Sequence, residues 1–116
     1  MEVPLQITFR DMEPSPAVEE RVRERAALLS RFAPSITQCH VVVEAPPHHH
    51  HQGGLFHVMV ELTLPGAHLV VNRRPPARHA HEDVYVAIRD AFDAARRQVE
   101  DHRRRQRGEV KTHAGG

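Results

Sequence analysis

The last third of the chain has a helical pattern with a single apolar side, and this pattern constrains the fold more than any other feature. Between roughly residues 82 and 106, apolar residues recur at the spacing of one helix face. The members of this stripe are Val84, Ile88, Ala91, Phe92, Ala95 and Val99. Glu82 and Asp83 stand at its start, where acidic side chains suit the positive end of the helix dipole. Because such a helix buries one stripe and exposes the rest, it needs a packing partner on one side only.

A second helix with one apolar stripe is predicted near the N-terminus. Ser15 and Pro16 supply an N-cap and a first-turn proline, and Pro34 ends the helix. Its stripe consists of Val18, Val22, Ala26, Leu29 and the pair Phe32 and Ala33. Since this helix also has a single apolar side, both helices are expected on the same face of one sheet.

Four segments have the alternation or the β-branched composition of strands. They are residues 3–9, 36–44, 56–64 and 68–72. Pro4 cannot donate to a strand ladder, which places the first strand at a sheet edge. A right-handed crossover makes the first two strands parallel, and the later strands follow as antiparallel hairpins.

The predicted fold class is therefore α+β, with the order β-α-β-β-β-α. It consists of a four-stranded mixed sheet with two helices packed on one face. With 116 residues, the chain is expected to form a single domain over residues 1–107. Residues 108–116 have no apolar pattern and are predicted to be a disordered tail.

Arginines are concentrated at the end of the last predicted helix, although the net charge of the chain is only +1. From residue 96 to residue 107 there are six arginines and two acidic residues. Arg89, Arg96, Arg103 and Arg107 fall near one line along the helix, and Arg97 with Arg104 forms a second row. Guanidinium rows of this kind suit a phosphate backbone, and the loop at residues 73–78 adds further arginines.

The alternative is a solvated helix whose arginines pair with its own acids. Four pairs have the required spacing of four residues. They are Arg89–Asp93, Asp93–Arg97, Arg96–Glu100 and Glu100–Arg104. The sequence alone leaves these two interpretations open.

Cysteine usage and hydropathy indicate a cytoplasmic protein. The single cysteine, Cys39, excludes an internal disulfide and fits a reducing compartment. No apolar run approaches the roughly 20 residues that span a bilayer, and no secretory signal pattern is present, so no membrane partner is expected.

Histidines raise the question of a metal site. His48, His49, His50 and His51 stand together in a predicted loop, and His57, His79 and His81 lie elsewhere. Consecutive histidines point in divergent directions, and no cysteine pair fixes a tetrahedral site, so no metal site is predicted. The remaining alternative is a metal-responsive or protein-interaction module that uses this loop and the open sheet face.

No catalytic constellation can be assembled from the sequence. No serine or cysteine stands in a nucleophile motif, and no glycine-rich phosphate loop occurs. The acids near His79 and His81 are explained by the start of a helix. We therefore expect a protein that is not an enzyme, with no cofactor and no small-molecule substrate.

Three motifs resemble the ribosome hibernation-promoting factor family, also known as ribosome-associated inhibitors or sigma-54 modulation proteins. They are HEDVYVAI at residues 81–88 with RQV at 97–99, SPAV at residues 15–18, and VELTLPG at residues 60–66. The resemblance covers roughly residues 3–106. The chain departs from the family at Ala80 and Ala94, where lysine is frequent, and at Glu100 and Asp101, where many members are basic.

The resemblance implies a fold similar to a double-stranded RNA-binding domain, in agreement with the order derived above. It also implies binding to 16S-type rRNA of the small ribosomal subunit, in the channel of mRNA and tRNA anticodons, so that translation is blocked sterically in idle ribosomes. The arginines expected to contact rRNA are Arg25, Arg31, Arg74, Arg78, Arg89, Arg96, Arg97, Arg103 and Arg104. The oligomeric state is left open.

Overall fold

A computed structural model describes residues 4–45, 56–73 and 83–108. Its elements are β1 (Leu5–Arg10), α1 (Pro16–Phe32), β2 (Gln38–Glu44), β3 (His57–Leu64), β4 (Ala67–Arg73) and α2 (Val84–Gln106). The predicted α+β fold and the order β-α-β-β-β-α are confirmed. The histidine loop, Arg74, Arg78 and residues 109–116 of the predicted tail lie outside the described residues. The single domain over residues 1–107 stays a prediction.

The four strands form one mixed sheet in the order β1-β2-β3-β4. β1 pairs with β2 in parallel, with Ile7 opposite Val41. The β2–β3 and β3–β4 pairs are antiparallel, with Val41 opposite Val60 and Val60 opposite Val71. The predicted parallel pairing of the first two strands and the edge position of β1 are both confirmed.

Strand β2 starts two residues later than predicted, and the difference has a local cause. The N–H of Ile36 donates to the carbonyl of Ala33 at 3.2 Å, so the chain is still turning there after α1. Ile36 is nevertheless buried in the core, which explains why its apolar character resembled a strand residue.

The core lies between one sheet face and the two helices. In β3 the side chains of Val58, Val60, Leu62 and Leu64 are buried, and the residues between them are only half-buried. This alternation puts these four side chains of β3 on the helix side. Val22 of α1 and Ile88 of α2 are fully buried against them. Both helices therefore cover the same face, as the two single stripes predicted.

Both helix starts are capped. Ser15 is the N-cap that the sequence predicted, whereas α2 begins two residues later than predicted, with Asp83 as its N-cap. The Ser15 hydroxyl oxygen accepts a hydrogen bond from the Val18 N–H at 3.2 Å, and the Asp83 carboxylate accepts one from the Tyr85 N–H at 2.9 Å. Such caps contribute about 1 kcal/mol each, because the first amides of a helix have no partner inside it. Within the described part of the chain, no helix combines the length and the apolarity needed to cross a membrane.

Replacement of Ile88 by alanine tests the centre of this core. Ile88 has 0% exposure, so Ile88→Ala should lower the free energy of unfolding by about 2–5 kcal/mol through lost burial and a residual cavity. Leu28→Ala is the matched control, because Leu28 is 54% exposed on α1. The free energy of unfolding of Leu28→Ala should stay within about 0.5 kcal/mol of the wild-type value. Urea denaturation measures both, and equal losses would contradict the assigned core.

Candidate nucleic-acid interface

The two helices contact each other through reciprocal pairs of a guanidinium and an aromatic ring. The guanidinium carbon of Arg21 in α1 lies 4.8 Å from the ring centroid of Tyr85 in α2. The guanidinium carbon of Arg96 in α2 lies 4.1 Å from the ring centroid of Phe32 in α1. Arg21 and Phe32 are eleven residues apart in α1, and Tyr85 and Arg96 are eleven residues apart in α2. The helices therefore run parallel in constant register, and the two pairs are separated by about 16 Å at 1.5 Å per residue.

Arg103 joins the second of these pairs and also caps α1. Its guanidinium carbon is 5.0 Å from the Phe32 ring centroid. Its Nη1 donates a hydrogen bond to the Phe32 carbonyl oxygen at 2.9 Å. Phe32 is the last residue of α1, where carbonyl groups lack partners inside the helix and the dipole is negative. A cationic donor at this position supplies a partner for the free carbonyl and also balances the negative end of the dipole. We call Phe32, Arg96 and Arg103 the Phe32 cluster.

The other predicted arginines of α2 are exposed to solvent. Arg89 makes an ion pair with its neighbour Asp90 at 3.1 Å, and Arg104 makes one with Asp101 at 3.8 Å. Arg97 is exposed as well. The four ion pairs expected for a self-neutralised helix do not form in α2, every residue of which the structure describes. The helix thus presents several guanidiniums without a carboxylate partner from the same helix face.

The predicted arginines of α1 do not lie together. Arg25 is half-buried, four residues after Arg21 on the side of α1 that faces α2. Arg31 is exposed and lines a separate open groove between α1 and strands β1 and β2. The structure therefore places Arg31 away from the Phe32 cluster. Arg74 and Arg78 lie outside the described residues, so their assignment stays a prediction.

Sequence reasoning missed Arg21 as a neighbour of Tyr85, and Phe32 as a neighbour of two α2 arginines. Phe32 was assigned to the apolar stripe alone, and it is in fact only half-buried, with its ring against two guanidiniums. Tyr85 is half-buried at the edge of the core and faces Arg21. The available signal was the shared eleven-residue spacing of the two Arg–aromatic pairs, which has meaning only once the helices are known to be parallel.

The opposite face of the sheet has a different chemistry. A hydrogen-bonded chain crosses all four strands there: Thr8 contacts the Nε2 of His40 at 2.9 Å, the Nδ1–H of His40 donates to Glu61 at 3.2 Å, and the Nε2–H of His68 donates to Glu61 at 3.3 Å. Beside it, His57 donates to Glu44 at 3.3 Å and also contacts Asn72. Carboxylates therefore accompany the histidines on this face, which disfavours a phosphate backbone.

Metal binding and thiol chemistry find little support in the described residues. Among residues 4–45, 56–73 and 83–108, no three His, Cys, Asp or Glu side chains are grouped to hold a metal ion. His48 to His51, His79 and His81 lie outside these ranges. Cys39 is buried in the core, and this burial raises the pKa of its thiol to about 12. At neutral pH it is a packed apolar group and not a nucleophile.

Comparisons with known proteins identify relatives of this chain. The family model described as Sigma 54 modulation protein / S30EA ribosomal protein matches residues 5–107. A solved structure of a ribosomal subunit interface protein from Coxiella burnetii is 16% identical with a TM-score of 0.67, and the alignment covers 87% of this chain and 98% of that chain. The N-terminal domain of Protein Y from Thermus thermophilus is 22% identical with a TM-score of 0.61, at 88% and 99% coverage. No curated protein sequence gives a significant match.

The buried thiol predicts a specific alkaline weakening of the fold. Burial raises the pKa of Cys39 from its ordinary value of 9.0 to about 12 in the folded protein. Above pH 9 the unfolded chain loses this proton while the folded chain keeps it, so the free energy of unfolding falls by up to about 1.4 kcal/mol per pH unit. Below pH 9 the contribution is fully present. Urea unfolding at several pH values from 8 to 11 measures the slope, and Cys39→Ala should make it shallower. Identical slopes in the two proteins would contradict the raised pKa.

The capping role of Arg103 can be tested by its effect on stability. Arg103→Met keeps an apolar stem but removes the donor to the Phe32 carbonyl, and should lower the free energy of unfolding by about 1–2 kcal/mol. Arg104→Met is the matched control, since Arg104 is exposed and, among the described residues, pairs with Asp101 alone. Its effect should stay within about 0.5 kcal/mol. Thermal and urea unfolding provide the comparison, and a larger loss in the control would mean that Arg103 does not cap α1.

Proposed function

Because the chain belongs to the Sigma 54 modulation protein / S30EA ribosomal protein family, we propose that it binds rRNA of the small ribosomal subunit and blocks its mRNA/tRNA channel. Membership confirms the family expected from the sequence motifs and makes this a ribosome-associated factor. The finer statement, a cytoplasmic translation inhibitor that holds ribosomes idle, is our proposal. It requires steric occlusion and no covalent chemistry.

The observation that carries the proposal is the uncompensated charge on the helix side. Arg96 and Arg103 lie against the same ring, and neither forms an ion pair with any residue in the described part of the chain. Two cations kept close together without a counter-ion favour an anionic partner. A phosphate backbone supplies such a partner, and arginine grips phosphate oxygens with two parallel hydrogen bonds.

The contrast between the two sides of the molecule supports docking through the helices. The helix side carries Arg89, Arg97 and Arg104 on its exposed surface, whereas carboxylates and histidines pair across the open sheet face. The phosphates of RNA are therefore attracted to the helix side and not to the open sheet face. The related structure from Coxiella burnetii is described as a ribosomal subunit interface protein, which supports placing this chain on a subunit surface.

The contact set that we propose combines the described arginines with those outside the described residues. Arg89, Arg96, Arg97, Arg103 and Arg104 of α2 form its centre, with Arg25 beside them on α1. Arg74 and Arg78 precede α2 in the sequence and extend the set. Arg31 is a peripheral member, because it lines the groove on the other side of α1.

Cosedimentation with purified small subunits across a series of KCl concentrations tests this proposal. Arg97→Gln with Arg104→Gln should weaken binding about tenfold or more, and should make the dependence of log Kd on log salt shallower by about one unit per lost phosphate contact. Both side chains are exposed, so stability should change little. Arg96 and Arg103 are left unchanged because their loss would also disturb the helix pairing.

The matched control removes the same amount of charge elsewhere. Arg10 ends β1, and Arg23 pairs with Glu19 at 3.6 Å on α1. Arg10→Gln with Arg23→Gln should bind like the wild type. Equal weakening in both double variants would mean unspecific charge attraction, and wild-type affinity in the α2 variant would remove the helix side as the interface. Bound protein should also compete with mRNA for the small subunit, and failure to compete would exclude channel blocking.

A further inference from the structure

We propose that Phe32 is a positioning residue, which holds Arg96 and Arg103 as a pre-oriented pair that receives one phosphate group of the RNA. This inference rests on the proposed function, because it concerns how the same surface grips its partner. It assigns a binding role to a residue that the sequence pattern placed in the apolar core.

The geometry of the Phe32 cluster supports this role. The two guanidinium carbons lie 4.1 and 5.0 Å from the ring centroid. They are therefore within about 9 Å of each other, a range in which like charges repel. The ring face carries partial negative charge and attracts both cations. Phe32 thus offsets part of the repulsion that would otherwise drive the two side chains apart.

The cluster leaves enough hydrogen-bond donors for a ligand. A guanidinium has five N–H donors, and Arg103 uses its Nη1 on the Phe32 carbonyl. Arg96 is exposed to solvent, Arg103 is partly exposed, and neither forms an ion pair among the described residues. A guanidinium held against a ring keeps its planar edge free, and that edge is the part that binds phosphate oxygens.

Pre-orientation has a measurable consequence for binding. An arginine side chain that is free in solution loses rotamer entropy when it binds, at a cost of about 0.5–1.5 kcal/mol per side chain. Phe32 reduces this cost for two arginines before the RNA arrives. Loss of the ring should therefore weaken binding even though Phe32 itself makes no contact with phosphate.

The experiment compares Phe32→Leu with Phe32→Tyr. Leucine keeps an apolar side chain at the end of α1 but lacks a ring, so affinity for purified small subunits should fall about tenfold. Tyrosine keeps the ring and should restore binding to within about twofold of the wild type. Val70→Ala is the control, because Val70 is 42% exposed on the open sheet face. All binding is measured at a temperature well below the unfolding midpoint of each variant.

A double-mutant cycle separates positioning from a general packing effect. In a protein that already carries Arg96→Gln and Arg103→Gln, Phe32→Leu should cause no additional loss of affinity. In the free protein, the side-chain Nε–H NMR signals of Arg96 and Arg103 should be dispersed in the wild type and should collapse toward one position in Phe32→Leu. A loss of equal size in both backgrounds, or unchanged binding in Phe32→Leu, would overturn the positioning role.

Failure of the broader proposal gives a different result. If the wild-type protein does not bind small subunits at any salt concentration, the proposed function is wrong, and the phosphate role of the cluster fails with it. If the wild type binds and Phe32→Leu binds equally well, the proposed function stands and only the positioning role is wrong.

Discussion

The architecture depends on one constraint, which is that one face of the sheet is continuously apolar, whereas the other face carries paired histidines and carboxylates. Each strand alternates, so Val41 and Val43 of β2 point to the same side as Val58, Val60, Leu62 and Leu64 of β3. Two helices with one apolar stripe each can bury those stripes only on that side. Because both helices cover the same sheet face, they lie next to each other. The contact between α1 and α2 follows from this constraint. So does the placement of Arg21, Phe32, Tyr85 and Arg96 at the boundary between the helices.

The same side chains serve the helix pairing and the charged surface, and the two roles are compatible. A cation–aromatic contact contributes about 0.5–1 kcal/mol at an exposed site. This is enough to favour one orientation of the side chain but not to hold the guanidinium rigidly. Arg103 is more strongly held because it also donates to the Phe32 carbonyl. We therefore expect removal of Arg103 to lower both stability and the proposed RNA binding, and removal of Arg97 to lower the proposed RNA binding alone. Interpretation of any arginine variant in α2 depends on this difference.

The sequence predicted those features that depend on local pattern. Alternation predicted the strands, single stripes predicted the shared sheet face, and Ser15 with Pro16 predicted the start of α1, because each of these depends on neighbours close in the chain. The candidate interface was predicted only as a set of arginines. Which of them meet, and on which ring, depends on the relative register of two helices that are far apart in sequence. Helical spacing in α2 likewise allowed four ion pairs within the helix. One of them was Arg96–Glu100, but Arg96 packs against the Phe32 ring of α1 instead.

Distribution of charge, and not its total, determines how such a protein meets RNA. The net charge is +1, so the long-range field of the whole molecule attracts nucleic acid only weakly. At distances within about 10 Å, the Debye length at moderate salt, the partner experiences each side separately. The helix side then offers unpaired guanidiniums, while on the sheet side Glu61 and Glu44 stand beside their histidines. We therefore propose that association is selected by orientation at short range, with the helices, held together by their aromatic contacts, as the side that docks.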